Sequence, residues 1–289
     1  MRWREGRRSE NVEDYRGRPM GGAGIKLGLG AIVVVILGWI FGIDPRVMLG
    51  LIGTIENTQT EAPPPPEPGV RQTGSPEDEV ADRASVVLAD TEDTWGAIFA
   101  EHGLQYVPPK LALFTEVAQT GCGRAGAAVG PFYCPLDRKV YIDLSFYREL
   151  KDKFAAPGDF AQAYVLAHEV GHHVQNLIGT SEKVRAAQER TSEGEANALS
   201  VRLELQADCY AGIWANHADQ SRHILESGDV EEALGAAAAV GDDTIQKRAR
   251  GYVVPDSFTH GSAEQRTRWF NTGLKSGALE SCDTFRAGG

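Results

Sequence analysis

Apolar residues recur at helical spacing through most of the chain after residue 77. Between Asp78 and Ala100 they stand three or four positions apart, as on one face of an amphipathic helix. A capping-box pattern, Ser262 with Gln265, precedes a similar stretch near the C-terminus. The same period predicts four further helices, at about 159–178, 192–217, 229–249 and 263–275. The folded part of the chain is therefore predicted to be mainly helical.

Two stretches between the first helix and the others have strand patterns. Lys110–Phe114 is short and apolar, and Lys139–Leu144 alternates apolar and polar residues as a half-buried strand does. Gly121–Pro135, which lies between them, is predicted to be a Gly-rich loop. A few strands followed by a run of helices is typical of an α+β layout. We therefore expect a predominantly helical α+β domain with a small sheet.

A longer apolar run lies near the N-terminus. Leu27–Ile43 has no charged residue, and a helix of its length covers about 25 Å, the short end of what spans a bilayer core. A cleaved signal peptide and a buried core helix are the alternatives. No small-x-small cleavage pattern follows the run, which disfavours the first of these. We predict an uncleaved transmembrane signal anchor at 25–43, ahead of the folded domain.

The arginines around this run predict its orientation. Several precede it and only Arg46 follows closely, which places the N-terminus in the cytoplasm. The chain is then a single-pass protein of the cell membrane with an extracytoplasmic domain. Its predicted parts are a basic cytoplasmic tail at 1–24, the anchor at 25–43, a Pro-rich linker at 44–76 and a folded domain at 77–289.

Charge and missing motifs exclude several functions. The sequence has 29 Lys and Arg against 40 Asp and Glu, a net charge of −11. Nucleic-acid binding depends on clustered positive charge, so we expect no nucleic-acid partner. The sequence contains no P-loop, no dinucleotide fingerprint and no G-x-S-x-G, so neither a nucleotide-dependent enzyme nor a serine hydrolase is indicated.

The strongest chemical motif is His168-Glu169-Val170-Gly171-His172, which has the form H-E-x-x-H. On a helix, residues four apart share one face, so both imidazoles can reach one zinc ion. Glu169 is then positioned as the general base for a water molecule that the metal activates. The alternative, surface histidines on an ordinary helix, fits poorly because the surrounding residues give this helix an apolar face.

A catalytic zinc usually has three protein ligands and one open position. A metzincin is excluded, because Gln175 and Ile178 stand where its Gly and third His would be. Glu204 and Asp208 lie one turn apart in an otherwise apolar helix, where unpaired burial would be costly. Zinc bound to Glu204, with a ligand histidine donating a hydrogen bond to Asp208, would remove both the repulsion between the two carboxylates and the cost of burying them unpaired. The fallback ligands are Glu193 and Glu195, and the alternative for Glu204 and Asp208 is a solvated acidic face.

The residues 168–172 and 204–208 together resemble the gluzincin pattern, in which H-E-x-x-H is completed by E-x-x-x-D. More narrowly, the chain resembles a bacterial membrane-anchored family of neutral zinc metallopeptidases. The resemblance implies a zincin-like fold and peptidase chemistry with one Zn²⁺ ion, but it names no substrate. It covers nearly the whole chain except the linker, in the stretches RWREGRRSENVEDYRG, GPFYCPLDRKVYIDLSFY, AHEVGHHVQNLIG, SVRLELQADCYAGIWA, SFTHGSAEQR and CDTF.

Two further features gain a meaning from the resemblance. Thr259-His260 followed by Arg266 is similar to a segment of related gluzincins whose histidine or tyrosine binds the developing oxyanion. The alternative for His260 is an ordinary loop residue before a helix cap. In zincins, an extended substrate also adds to an edge strand before the zinc helix, and Arg138–Leu144 is the candidate here. Three tyrosines lie near that strand and either line the cleft or pack in the core, namely Tyr133, Tyr141 and Tyr147.

The four cysteines allow three pairings. We favour Cys122–Cys134, which closes the Gly-rich loop, and Cys209–Cys282, which ties the C-terminal tail to the helix that carries Glu204. A cysteine zinc site is disfavoured, because no C-x-x-C spacing is present. Disulfides agree with the predicted export, since they persist in oxidising compartments.

The predicted function is hydrolysis of peptide bonds in peptide or protein substrates outside the cytoplasmic membrane. His168, His172 and Glu204 hold the zinc, Glu169 is the general base, Asp208 orients a ligand histidine, and His260 is the candidate oxyanion donor. Two alternatives remain: a zinc-stabilised envelope scaffold without turnover, and an amidase acting on cell-wall crosslinks. Only an enzyme needs Glu169, so its presence favours catalysis.

Overall fold

Helices dominate the part of the chain that the computed structural model describes, residues 1–17 and 76–286, with the side chains of 76 and 77 excepted. Within these residues the helices are α1 (Pro76–Glu101), α2 (Ser145–Asp152), α3 (Asp159–Leu177), α4 (Thr180–Gln188), α5 (Glu193–Arg222), α6 (Asp229–Ala239), α7 (Asp242–Arg250) and α8 (Ala263–Ser276). The predicted helix at about 229–249 is two helices, α6 and α7, with a break at Val240-Gly241.

The strands form two small sheets. They are β1 (Val12–Asp14), β2 (Lys110–Phe114), β3 (Val117–Thr120), β4 (Gly123–Gly126), β5 (Phe132–Cys134) and β6 (Lys139–Asp143). One sheet has the order β1-β2-β6-β5, in which β1, β2 and β6 run parallel and β5 is antiparallel to β6. The other is the antiparallel hairpin β3–β4, in the region predicted to be a loop.

The N-terminal segment belongs to the same folded unit as the helices. Val12 pairs in parallel with Leu111, and Trp3 is buried in the core. Residues 1–17 form part of the predicted cytoplasmic tail, whereas residues 77–289 are the predicted extracytoplasmic domain. The structure thus joins residues 1–17 and residues 76–286 in one folded unit, across the boundary that the prediction draws between them.

The predicted fold class, a zincin-like and predominantly helical α+β domain with a small sheet, preceded by one transmembrane helix, is wrong. The part of the chain that the structure describes is mostly helical with two small sheets. Across residues 1–17 and 76–286, no helix combines the length and the apolar character needed to cross a bilayer. The longest ones, α1 and α5, are interrupted by charged residues. The predicted anchor at 25–43 lies outside the described residues.

Both predicted disulfides are present in the structure. Cys122, in the turn between β3 and β4, is bonded to Cys134 at the end of β5. Cys209 in α5 is bonded to Cys282, at the end of the short 3₁₀ helix Leu279–Cys282. The first therefore ties the hairpin to the main sheet, and the second ties the C-terminal segment to the buried helix α5.

The zinc-motif helix α3 occupies the centre of the core. It begins after Gly158 and ends at Ile178-Gly179, where Gly179 has the left-handed conformation common after helix ends. It packs against α1, α5 and α6, and most of its residues are buried. Its apolar residues therefore face neighbours on several sides, which fixes the orientation of the polar side chains it carries.

Helix α5 packs against α8 at very short range. A Cβ atom built at Gly273 in α8 would overlap the carbonyl oxygen of Cys209 in α5. We expect Gly273→Ala to lower the free energy of unfolding by about 3 kcal/mol, since one helix must move away from the other. Gly235→Ala in α6 is the matched control, because a Cβ there meets no atom within 4 Å. Removing a glycine from an open helical position should instead stabilise by about 0.5–1 kcal/mol.

Chemical denaturation of both variants, with unfolding followed by circular dichroism, measures the two changes. Equal and small changes in Gly273→Ala and Gly235→Ala would contradict the close packing of α5 against α8.

Candidate metal centre and active site

Two histidines of α3 and one glutamate of α5 converge on a single point. Nε2 of His168 lies 3.2 Å from Oε2 of Glu204, and Nε2 of His172 lies 3.4 Å from Oε1 of Glu204. The two imidazole rings lie one turn apart on the same face of α3, with centroids 4.8 Å apart. These three side chains therefore offer two nitrogen donors and one carboxylate to a shared centre.

The spacing of these donor atoms fits zinc. Zinc–nitrogen and zinc–oxygen bonds are about 2.0–2.2 Å long, so a tetrahedral site has edges of about 3.3–3.5 Å between ligand atoms. The separations of 3.2 Å and 3.4 Å lie close to that range, although they end on the two different oxygens of Glu204, and one donor atom from each of the three residues lies within 4.8 Å of the other two. Two imidazoles and a glutamate are also a known donor set of catalytic zinc sites. The residues present could thus hold one zinc ion and leave a coordination position for other ligands.

A glycine in the motif allows the two helices to come close enough. A Cβ built at Gly171 would lie 2.9 Å from the carbonyl oxygen of Ala207 and 3.1 Å from its Cα. Any side chain at position 171 would therefore push α3 away from α5. This close approach sets the distance between the histidines of one helix and Glu204 of the other.

Asp208 orients the first histidine. Its Oδ1 lies 2.9 Å from Nδ1 of His168, and because a carboxylate can only accept, Nδ1 donates and Nε2 is directed to the centre. Arg266 donates to both oxygens of Asp208, at 2.8 and 3.0 Å, and the hydroxyl of Tyr164 donates to Oδ1. Burial alone would raise the pKa of Asp208, but Arg266 and His168 outweigh it and lower that pKa to about 2. The carboxylate is therefore ionised at any physiological pH.

The second histidine has a partner that the sequence analysis did not identify. Nδ1 of His172 lies 2.9 Å from Oε1 of Gln175, one turn further along α3. The amide group of Gln175 is held in turn by the backbone carbonyl of Leu203 at 2.7 Å and by Gln206. The i+3 spacing from His172 was the available signal, but Gln175 was considered only as a residue that excludes a metzincin.

Protons compete with a metal for these histidines. Burial disfavours charge on His168 and His172, but the carboxylates of Asp208 and Glu204 outweigh it and raise the pKa of both rings. Metal ligation requires the neutral imidazole, so zinc binding at this site should strengthen as pH rises.

Glu169 lies beside the centre and is 8% exposed. It follows His168 directly, so its side chain leaves the helix about 100° further round than that histidine. Burial raises the pKa of Glu169, and the neighbouring histidines oppose this effect. A buried carboxylate with a raised pKa next to a metal centre is typical of a general base.

His260 is held by Asp242, a residue that the sequence analysis did not single out. Oδ2 of Asp242 accepts the backbone N–H groups of Thr259, His260 and Gly261 at 2.6–3.0 Å, and its Oδ1 lies 3.3 Å from Nδ1 of His260. The hydrogen bond to Asp242 raises the pKa of His260, and the charge of Glu204 adds to this. With Nδ1 directed to Asp242, Nε2 is the ring atom that remains to meet a substrate.

We expect Asp242→Asn to lower the pKa of His260, because the neutral amide no longer stabilises the charged imidazole. A lowered pKa means that the ring loses its proton at a lower pH than in the unmodified protein. NMR titration of the histidine ring resonances measures this. Asp256→Asn, on the same exposed segment, is the control and should leave the His260 titration in place. An unchanged titration in Asp242→Asn would contradict the pairing.

The two fallback ligands and the third histidine of α3 lie away from the centre. Glu193 and Glu195 are exposed in the first turn of α5, where Glu195 completes the capping box with Ser192. His173 is fully buried on another side of α3, between the hydroxyl of Tyr133 and the carbonyl of Val107. Burial lowers the pKa of His173 to about 4, so this ring is neutral and structural.

The edge of the main sheet differs from the prediction. Strand β6, which includes most of Arg138–Leu144, lies inside the sheet between β2 and β5, so β5 is the strand at that edge. Tyr141 and Tyr147 are buried and do not line a cleft. Tyr133, in β5, contacts α3 through His173 and Asn176. The strand next to the zinc-motif helix is thus an edge strand, but it is β5.

Known proteins resemble this chain over most of its length. The family model described as "Putative neutral zinc metallopeptidase" matches residues 1–285. The chain is 49% identical over 294 residues to "Uncharacterized protein YpfJ" of Escherichia coli (strain K12), covering 99% of each chain. It is 45% identical over 192 residues to "Uncharacterized protein Rv2575" of Mycobacterium tuberculosis (strain ATCC 25618 / H37Rv), covering 63% of this chain and 64% of the relative. No solved structure matches. The chain therefore belongs to the family described as putative neutral zinc metallopeptidases.

Proposed function

We propose that this protein is a zinc-dependent peptidase with His168, His172 and Glu204 as metal ligands and Glu169 as general base. The observation that carries the proposal is the convergence of Nε2 of both histidines on the carboxylate of Glu204, at 3.2 and 3.4 Å from its two oxygens, which is a donor set of catalytic zinc sites. The membership of the chain in the zinc metallopeptidase family supports the same reaction class.

The chemistry needs one metal ion and one proton carrier. Zinc, when bound, supplies the Lewis acidity that activates water and polarises the scissile carbonyl. Glu169 accepts one proton from the attacking water and delivers it to the nitrogen of the leaving amine as the carbon–nitrogen bond breaks. The buried position of Glu169 favours this transfer, because a raised pKa brings the carboxylate closer to the pKa of the groups it exchanges protons with.

The surrounding residues keep this centre in order. Asp208 and Gln175 each hold Nδ1 of one histidine, so both Nε2 atoms stay available for the metal. Arg266 keeps Asp208 ionised through its two hydrogen bonds. His260, held by Asp242, is the donor that we assign to the oxyanion of the tetrahedral intermediate.

The substrate is proposed to be an extended peptide. Strand β5 is an edge strand of the main sheet and packs on α3, so an extended peptide that pairs with β5 lies alongside the helix that carries the two histidines. Backbone hydrogen bonds of this kind bind a peptide without selecting its sequence. We also propose that the folded unit acts in an oxidising compartment outside the cytoplasm, because it contains two disulfides.

The test uses the full-length protein and a mixed peptide library. We expect about one zinc ion per chain, new peptide termini detected by mass spectrometry, loss of cleavage after treatment with a zinc chelator, and recovery on addition of zinc. Bound zinc with no cleaved peptide would reject the peptidase. Cell-wall fragments are tested in a parallel assay. Release of peptides from them, with no cleavage of the peptide library, would identify the amidase alternative instead.

A further inference from the structure

An exposed apolar patch and a cluster of basic residues lie side by side at the end of α7. Four of the nine large hydrophobic residues that are exposed in the described part of the chain fall within ten positions here, namely Ile245, Tyr252, Val253 and Val254. Tyr252 is the most exposed of the four, at 61%. We call residues 245–256 the tip segment. None of the steps derived above uses it.

The charge of the tip segment is opposite to that of the whole chain. The segment contains one acidic residue, Asp256, and three basic ones, Lys247, Arg248 and Arg250, whereas the chain has a net charge of −11. Arg248 donates to two backbone carbonyls just after α2, at 3.3 and 3.4 Å. Lys247 and Arg250 are exposed and form no ion pair within the described residues. Two unneutralised positive charges therefore adjoin the apolar patch.

The tip segment projects from the surface and is tied to α7. All eleven residues from Lys247 to Ser257 are exposed. The side-chain oxygen of Gln246 accepts the backbone N–H of Val254 at 2.8 Å, and its amide nitrogen donates to the hydroxyl of Ser257 at 2.9 Å. Gly251, in the left-handed conformation, ends α7 and turns the chain. The fold thus holds these apolar side chains outside the core.

Exposed aromatic and aliphatic side chains next to unpaired basic groups fit the surface of an anionic bilayer. Tyrosine is enriched at the membrane–water interface, and lysine and arginine are attracted to anionic lipid head groups. A projecting tip can enter a bilayer without a matching recess, whereas a protein partner needs a complementary shape. A second copy of the chain, related by a twofold axis, would place the same basic residues against each other. The bilayer is therefore the occupant that the tip segment fits best.

We propose that the tip segment docks on a lipid bilayer that contains anionic phospholipids. Tyr252 and the two valines enter the interfacial layer, and Lys247 and Arg250 contact lipid phosphates. His260 follows Asp256 by four residues, so at most about 14 Å of chain separates the tip segment from the candidate active site. Docking would hold that site near the bilayer surface. The inference depends neither on zinc binding nor on peptide cleavage.

A single fluorescent label on the tip segment tests this proposal. All four cysteines are in disulfides, so Tyr252→Cys in the full-length protein supplies one free thiol for an environment-sensitive nitrobenzoxadiazole dye. The probes are vesicles of phosphatidylcholine alone and vesicles of equal parts phosphatidylcholine and phosphatidylglycerol. We expect stronger, blue-shifted emission in the mixed vesicles only, and its loss in high salt, which screens the charges. Because the dye reports its own surroundings, the result holds however the rest of the chain binds the vesicle.

Leu104→Cys with the same dye is the matched control for the label. Leu104 is 55% exposed, close to the value for Tyr252, and residues 98–108 around it include Glu101 but no Lys or Arg. Its emission should be the same in both kinds of vesicle.

The contribution of the basic residues is tested by replacing Lys247 and Arg250 together with glutamine in the Tyr252-labelled protein. Each basic residue near an anionic surface favours binding about fivefold, so the double variant should lower the ratio of lipid-bound to free dye about 10–30-fold. Lys183→Gln combined with Arg190→Gln removes the same charge from exposed positions in and just after α4, and should leave the ratio unchanged. Circular dichroism checks that each variant is folded.

Three kinds of result would overturn the proposal. The first is emission of the Tyr252 dye that is the same in both kinds of vesicle. The second is an equal loss of emission in the two double variants. The third is a change that appears without lipid, either on addition of polyglutamate, which would assign the surface to an acidic protein, or with rising protein concentration, which would assign it to a second copy of the chain.

Discussion

Glu169→Gln is expected to lower the rate of peptide cleavage by about 10²–10⁴-fold while the protein keeps its zinc ion. The glutamine side chain has nearly the same shape, so the buried position next to His168 remains filled. It cannot accept a proton from water, and the step that makes the nucleophile is lost. None of the three donor atoms that converge on the centre belongs to Glu169, so metal content should not change.

Two measurements on the same purified sample test this prediction. Zinc per chain is determined by atomic absorption, and kcat/KM is determined with a peptide found in the library experiment. Glu182→Gln, an exposed glutamate in the first turn of α4, is the matched control and should retain both zinc and activity. Full activity in Glu169→Gln would remove this residue from the mechanism. Full biological function without any cleavage by the wild type would favour the scaffold alternative.

The centre itself was largely predictable because its main constraints are local. Helical period alone places His168 and His172 on one face, and predicted and observed limits of that helix agree closely, about 159–178 against Asp159–Leu177. Glu204 and Asp208 could be selected because two acids one turn apart in an apolar helix require a partner. The structure brings all four residues together, with Asp208 on His168 as expected.

What the sequence did not predict depends on contacts between distant segments. Strand β1 is three residues long and polar in composition, and only its pairing with β2, about 100 residues later, makes it a strand. The same applies to the edge of the sheet, because β6 alternates like an edge strand but receives partners on both sides. The Asp242–His260 pair also joins residues 18 positions apart, which no helical or strand period relates.

Glu204→Gln is expected to reduce zinc affinity by more than about 100-fold. Replacing a residue that only hydrogen-bonds a metal ligand typically lowers metal affinity about 10–100-fold. Glu204 is itself a donor, and it is the only carboxylate among the three donors at this centre. A neutral amide oxygen donates far less charge to a divalent ion than a carboxylate does. The two histidines alone should therefore hold zinc weakly.

The loss should also be visible as stability, which separates binding from activity. Zinc at 100 times its dissociation constant should raise the free energy of unfolding of the wild type by about 2.7 kcal/mol. The same zinc concentration should stabilise Glu204→Gln by less than about 0.5 kcal/mol, since its dissociation constant then exceeds the concentration used. Calorimetric unfolding with and without zinc measures both values.

The matched control separates Glu204 from one of the two fallback ligands that the sequence offered on this helix. Glu193 was a fallback ligand, but it is exposed in the first turn of α5, eleven residues before Glu204 and about 16 Å away along the helix axis. Glu193→Gln should therefore bind zinc and gain stability from it as the wild type does. If Glu193→Gln loses the stabilisation and Glu204→Gln keeps it, the third ligand is misassigned. The centre would then have to form by a movement of α5 relative to α3, against the close contact at Gly171.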